Sequence, residues 1–493
     1  MQGKNLTFST PESLGIPSGA ITEFLDEITD RRICMHGFLL LRHGKVAAEG
    51  YWPPFDENRR HRVYSISKSF TSIAIGMMID EGRITLDSKI VDFFPEYLPE
   101  NPHRFLMEAT VRDLLMMATC HKHTTYNWKS TDYVETFFSH SGEKHKPGQL
   151  FIYDTSATVV LCAIVEKLSG KTLLEYMMPV LEQTGFSKDA YCIETPEGRS
   201  WTGSGIMCTP RDLARFAQLI MNGGEWDGKQ LLNRDYVTEA TSWQIDSSVS
   251  AGGYEIRHGY GYQIWRLRKG GFAFYGIGSQ YALCMPEHGT ILVLTGDTQG
   301  SESAGDTLLN MYFKLLDKLS PTPLPEDANA QSKLAECISK LALPRPLGKT
   351  ETAVAKEISG QKYILEKNDA GMKWLRLLID ADKCRLQYEN AAGEQELVYG
   401  MGKYEPQLSP GKYNGRRMGV KDTHYQCIGA GAWAKDNCFL GTMYSVDDHL
   451  GSCKIQLTFE DNEVSGFMTK SAEDFFDEYQ GFLVGKIEIG VIK

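Results

Sequence analysis

The sequence predicts an α+β protein of two domains: an antiparallel sheet flanked by helices with a helical subdomain, then a smaller antiparallel β-barrel-like domain. Three observations carry this. Strand-like segments near the N-terminus give way to a long, mainly helical stretch and then to strands again. A run rich in Pro, Asp and Asn, "SPTPLPEDANAQS" from Ser320 to Ser332, then reads as a linker. Beyond it, segments such as "KIQLTFE" alternate strictly, with Ile455, Leu457 and Phe459 on one face. At 493 residues the chain is longer than one core usually serves. The expected division is 1–319, a linker at 320–335, and 336–493.

The elements follow in order. "GAITEFLDEITDRRI" is a helical pattern, and "GFLLLRHGKVAAEGYW" reads as two strands joined at His43-Gly44. From Phe70 the apolar residues fall at Phe70, Ile73, Ala74, Met77 and Met78, the spacing of one buried helical stripe. "TVRDLLMMA" and "SATVVLCAIVEKLSGKTLLEYMMPVL" continue the helical region. In "CTPRDLARFAQLIMNGG", Thr209 caps, Pro210 takes the first helical position, Asp212 completes an acidic capping box and Gly223 stops the helix. "GYGYQIWRL", "GFAFYGIGSQYALCMP" and "TILVLTG" read as strands, and "TLLNMYFKLLDKL" as a closing helix.

Composition is that of an ordinary globular chain, with 42% hydrophobic and 23% charged residues. A formal net charge of -11 gives no basic footprint for nucleic acid or anionic membrane. No apolar export segment opens the chain, and no apolar run is long enough to span a bilayer. Eleven cysteines without C-x-x-C spacing read as reduced thiols, so a cytoplasmic location is expected. Cys120, His121 and His123 form the one run with metal-ligand character, and no further ligands accompany it.

The chemistry begins in "RVYSISKSFTSIAIGMM". Ser65 and Lys68 stand one turn apart at the mouth of the apolar helix, on the same face. A serine hydroxyl attacks a carbonyl only when something accepts its proton, and a partly buried lysine has a lowered pKa suited to that task. A helix N-terminus also favours the oxyanion that forms. The competing reading is a helix cap with a solvated lysine. S-x-x-K alone is weak, since it recurs at Ser141…Lys144 and Ser359…Lys362.

"YSISKSFTS", "PGQLFIYDTSA" and "YGIGSQYALCMPEHG" occur in the order and rough spacing of the three motifs of the serine β-lactamase and penicillin-binding-protein superfamily. The chain resembles most closely the class C β-lactamase-like serine hydrolases. "GYGYQIW" followed by "YGIGSQY" is similar to the 6-aminohexanoate-dimer hydrolase branch, across roughly Gly15 to Leu319. The resemblance implies a beta-lactamase/transpeptidase-like fold without metal or cofactor. It makes Ser65 the acylated nucleophile, Lys68 its general base and Tyr153 the proton relay to the leaving group. The N–H groups of Ser65 and Ser279 would hold the oxyanion, with Thr155, Gly276, Ile277 and Gly278 facing the substrate.

Two departures matter. Thr155 stands where the family has an asparagine, and Gly276 where it has a Lys or His. A cationic anchor is therefore missing, with Arg257 and His258 as candidates to supply one. Both changes argue against an efficient β-lactamase or a cell-wall transpeptidase, and leave a small ester or amide as the expected substrate. The alternatives are a catalytically inactive binding or scaffold protein of the same fold, or a weak β-lactamase or D-aminopeptidase. G-x-S-x-G and H-E-x-x-H are both absent.

Overall fold

The strand Met35–Arg42 is buried along its whole length. Its "FLLL" run is apolar on both faces, as a strand covered on both sides requires. In the computed structural model, which describes residues 6–249, 253–301, 303–471 and 477–488, this strand lies inside a seven-stranded sheet. Across the sheet the order is Thr7–Phe8, Lys45–Tyr51, Met35–Arg42, Thr290–Gly296, Gln280–Met285, Phe272–Gly276 and Trp265–Arg266. All neighbours are antiparallel except the first pair. His43 and Gly44 take φ of 50° and 75°, the left-handed pair that a two-residue hairpin turn demands.

Between Lys45–Tyr51 and Trp265–Arg266 the chain builds the helical region. Helix Ser67–Asp80 is more enclosed than its stripe suggests, because Ser67 through Gly76 are all buried. It packs on helix Thr155–Ser169. Helix Pro210–Met221 has the capping box read from Thr209 and Asp212, and Gly223 follows with φ of 67°. That helix lies against Met35–Arg42 and Thr290–Gly296 and covers one side of the sheet.

Two expectations change. "GYGYQIWRL" is not a strand over its length, since only Trp265–Arg266 forms a strand and Tyr260 makes isolated bridges. The rest is a loop built on Gln263, which is buried with φ of 59°. Its amide Nε2 donates to the carbonyls of Leu114 and Leu115 at 2.8 and 3.2 Å. Its Oε1 accepts from Thr158 at 2.7 Å, and its own carbonyl accepts from Ser69. One side chain thus satisfies buried groups from two helical segments, which outweighs the β-propensity of its neighbours. The second change concerns 320–335. Asp327 caps a helix over Ala328–Ser339 that lays Leu334 into the core against helix Ser18–Asp30.

The chain divides into two units, Met1–Thr298 with Glu302–Ala342 and Gly415–Val420, and Gln299–Ser301 with Leu343–Asn414 and Lys421–Lys493. The second unit is a closed barrel. Nine antiparallel-neighboured strands run from Gly393–Met401 to Gln426–Lys435, and these two end strands pair in parallel to shut it. Ile455, Leu457 and Phe459 are buried as the alternation requires, beside Tyr388, Tyr399 and Trp433. Among the described residues no helix is long and apolar enough to cross a membrane.

Gln263→Ala removes the side-chain partners of three buried groups, and is expected to cost about 3 kcal/mol of stability. Urea unfolding followed by circular dichroism measures it, and an unchanged midpoint would remove Gln263 as the knot of the helical region.

Candidate active site

Ser65 lies in a single helical turn, Tyr64–Ile66, that runs straight into helix Ser67–Asp80. The turn is entered through Tyr64, a buried residue with φ of 49°. A bulky side chain in the left-handed region is uncommon and costs of order 1 kcal/mol, so surrounding contacts must hold it. The guanidinium of Arg62 lies 4.2 Å over the Tyr64 ring. From the other side, the strand Phe272–Gly276 comes so close that a Cβ on Gly276 would stand 2.5 Å from the Val63 carbonyl oxygen. A lysine or histidine at 276 would push the strand away, which accounts for the missing cation in terms of packing. His258, a candidate replacement, turns towards buried Glu255 instead, 3.9 Å away.

The strand carrying Arg62 is itself fixed by a buried imidazole pair. His36 Nδ1 and His61 Nε2 are 2.8 Å apart, and His61 Nδ1 is 3.1 Å from the Arg62 carbonyl oxygen. Burial lowers both imidazoles, His61 to about 4, so the pair is neutral at physiological pH. His61 then donates through Nδ1 to Arg62 and accepts through Nε2 from His36.

Ser65 is half-buried and Lys68 fully so, and their Oγ and Nζ are 2.9 Å apart. The Lys68 amine also donates to the Gly203 carbonyl at 2.5 Å, which sets the direction of its remaining valences. Tyr153 places its ring 5.0 Å from the same nitrogen and its hydroxyl in hydrogen-bond reach of Ser65. Burial pushes that phenol well above its ordinary range, with the Ser65 hydrogen bond opposing. Tyr153 stacks on Trp265 at 5.6 Å, and Tyr260 stands edge-on beside them. The structure therefore brings together Ser65, Lys68 and Tyr153 from two separated segments.

The other sequence-predicted positions are disposed as follows. Thr155 opens helix Thr155–Ser169, with its N–H donated to Thr124 Oγ1 at 2.9 Å. Its methyl group sits against Gly203, where a Cβ would approach it to 2.5 Å. Gly276 ends the strand Phe272–Gly276, and Ile277, Gly278 and Ser279 form the turn into Gln280–Met285. Gln280 Nε2 donates to the carbonyls of Ile277 and Gly278, both at 3.1 Å, and pins this turn. Ile277 is exposed, whereas Ser279 has φ of 67° and hydrogen-bonds Thr298 Oγ1 at 2.7 Å. Arg62, Gly203, Trp265 and Gln263 were not singled out by sequence reasoning.

A family model described as Beta-lactamase matches residues 31–311. The chain belongs to the beta-lactamase family. The 6-aminohexanoate-dimer hydrolase of Paenarthrobacter ureafaciens is 26% identical over 267 residues, covering 50% of this chain and 65% of that protein. A Bacillus anthracis structure, provisionally described as a 6-aminohexanoate-dimer hydrolase, matches with a TM-score of 0.52 at 21% identity, over 65% of this chain and 89% of its own. The octameric penicillin-binding protein homologue of Pyrococcus abyssi matches at 16% identity with a TM-score of 0.47, over 94% and 99% of the two chains. The family match and the Bacillus anthracis structure establish the beta-lactamase/transpeptidase-like fold of the first unit.

Within this family site, Asp154 caps the helix behind Tyr153. Its carboxylate accepts from Ser156 N at 2.9 Å and Thr119 Oγ1 at 3.0 Å, yet burial raises its pKa to about 6. A carboxyl that titrates higher folded than unfolded binds more protons in the native state between pH 4 and 6, so stability falls as pH rises through that window. Wild type should lose about 3 kcal/mol relative to Asp154→Asn between pH 4 and 7. Denaturant unfolding at both pH values reads this, and a pH-independent difference would contradict it.

Proposed function

We propose that this protein is a metal-independent serine hydrolase acting on a small ester or amide through a Ser65 acyl-enzyme. The observation that carries the reading is a half-exposed serine oxygen 2.9 Å from a buried lysine amine, with a tyrosine hydroxyl on the same oxygen. Burial disfavours the ammonium form, so Lys68 is neutral before attack. As Ser65 Oγ bonds to the substrate carbonyl carbon, its proton passes to Lys68 Nζ. The oxyanion is held by the N–H of Ser65 and by one from the turn that contains Ser279. Tyr153, whose phenol stays protonated, hands its proton to the departing alkoxide or amine and is reprotonated from Lys68. Water then enters by the reverse route, and the acid leaves.

An inactive scaffold would have no need to keep all three groups in mutual reach beside an accessible serine. The packing of Gly276 against Val63 weighs against β-lactams and D-peptides, whose carboxylate lacks its cation there. A Ser65→Ala or Lys68→Ala enzyme should lose about 1000-fold or more in kcat on p-nitrophenyl acetate, with the fold retained. Tyr153→Phe should lose about 100-fold. Wild-type turnover in Ser65→Ala contradicts the proposal.

A further inference from the structure

Lys68 can serve as base only while its amine points at Ser65, and a lysine has four rotatable bonds with which to wander. Gly203 removes that freedom by accepting one N–H at 2.5 Å. The question is what holds Gly203. It lies in the turn Trp201–Gly205, where Ser204 N and Gly205 N both bond the Trp201 carbonyl. That hydrogen bonding fixes the turn's shape but not its place.

The turn is placed by Ile193, whose carbonyl accepts from Trp201 N at 2.7 Å and whose N–H donates to the Gly205 carbonyl at 2.8 Å, and by the strand before the nucleophile. Arg62 Nε donates to the Ser204 carbonyl at 2.9 Å, and its terminal nitrogen lies 3.1 Å from Ser204 Oγ. The guanidinium is held between the rings of Tyr64 at 4.2 Å and Trp201 at 4.8 Å, so it is buried and has little room to move. Val63 N, donating to the Ile206 carbonyl at 3.0 Å, and Ser67 Oγ, accepting from Ile206 N at 3.0 Å, anchor the turn's exit. Arg62 acts one residue from the carbonyl that matters. Its planar fork and two stacking faces do what a lysine cannot.

We propose that Arg62 is a positioning residue, which holds the Gly203 carbonyl on Lys68 by gripping Ser204 and thereby keeps the base aimed at Ser65. This rests on the Ser65–Lys68 reading above. A displacement of about 1 Å at a reacting group costs about 100-fold in rate, so Arg62→Met should slow the acylation burst with p-nitrophenyl acetate about 100-fold and leave KM within twofold. Arg62→Lys, which keeps the charge but loses the fork, should lose about 10-fold.

A double-mutant cycle separates positioning from mere folding. In a Lys68→Ala background nothing remains to be aimed, so Arg62→Met should change the residual burst rate by less than twofold. The same fold-loss in both backgrounds, or a loss confined to KM, overturns the proposal. If Arg62→Met does not fold, Arg62→Lys is carried through the same cycle with the same criterion. A Lys68→Ala enzyme with the wild-type burst rate instead overturns the underlying serine–lysine reading, and this proposal with it.

Discussion

A buried amine held between two oxygens is the constraint on which the rest of this site depends. Taking Lys68 out of water costs several kcal/mol if it is charged and little if it is neutral. In the proposed mechanism burial favours the form that can accept a proton, and the contacts to Ser65 Oγ and the Gly203 carbonyl direct the nitrogen. Removing Gly203 from that position would free the lysine. Loosening helix Ser67–Asp80 would hydrate it. The enclosure of that helix on nearly all sides, tighter than an amphipathic stripe calls for, follows from the same need.

The approach of the strand Phe272–Gly276 is the second half of the design. Gly276 permits the strand Phe272–Gly276 to lie against Val63 and Tyr64. The same contact leaves no room for a lysine or histidine side chain at 276. Packing here is thus decided by one residue, and under the proposed function it points to an acyl group without an anionic anchor.

Much of this was legible in the sequence. Ser65 and Lys68 stand out because an apolar helical run follows them, and Tyr153 because the motif order singles it out. The capping box at Thr209 and Asp212 and the hairpin at His43-Gly44 are local, and local rules read them correctly. What escaped depends on distant chain. Arg62 meets Ser204, and Lys68 meets Gly203, only once a turn some 140 residues away has folded back, and neither Arg62 nor Gly203 carries a motif. "GYGYQIWRL" has strand composition, but the buried demands of Leu114, Leu115 and Thr158 on Gln263 pull it into a loop. Helix Ala328–Ser339 buries the single leucine Leu334, too little for a periodic signal, so its Pro- and Asp-rich approach dominated. Ser279 was placed on a strand and lies in the turn beyond it, because a glycine-rich hairpin gives no register from sequence.

The measurement that tests the central claim most directly is intact-protein mass spectrometry after exposure to a fluorophosphonate, on wild type and Ser65→Ala. An activated Ser65 predicts a single adduct that maps to that residue and disappears in the variant. A folded wild-type protein that takes up no adduct, or one modified equally in Ser65→Ala, would contradict the account and leave Lys68 a structural amine.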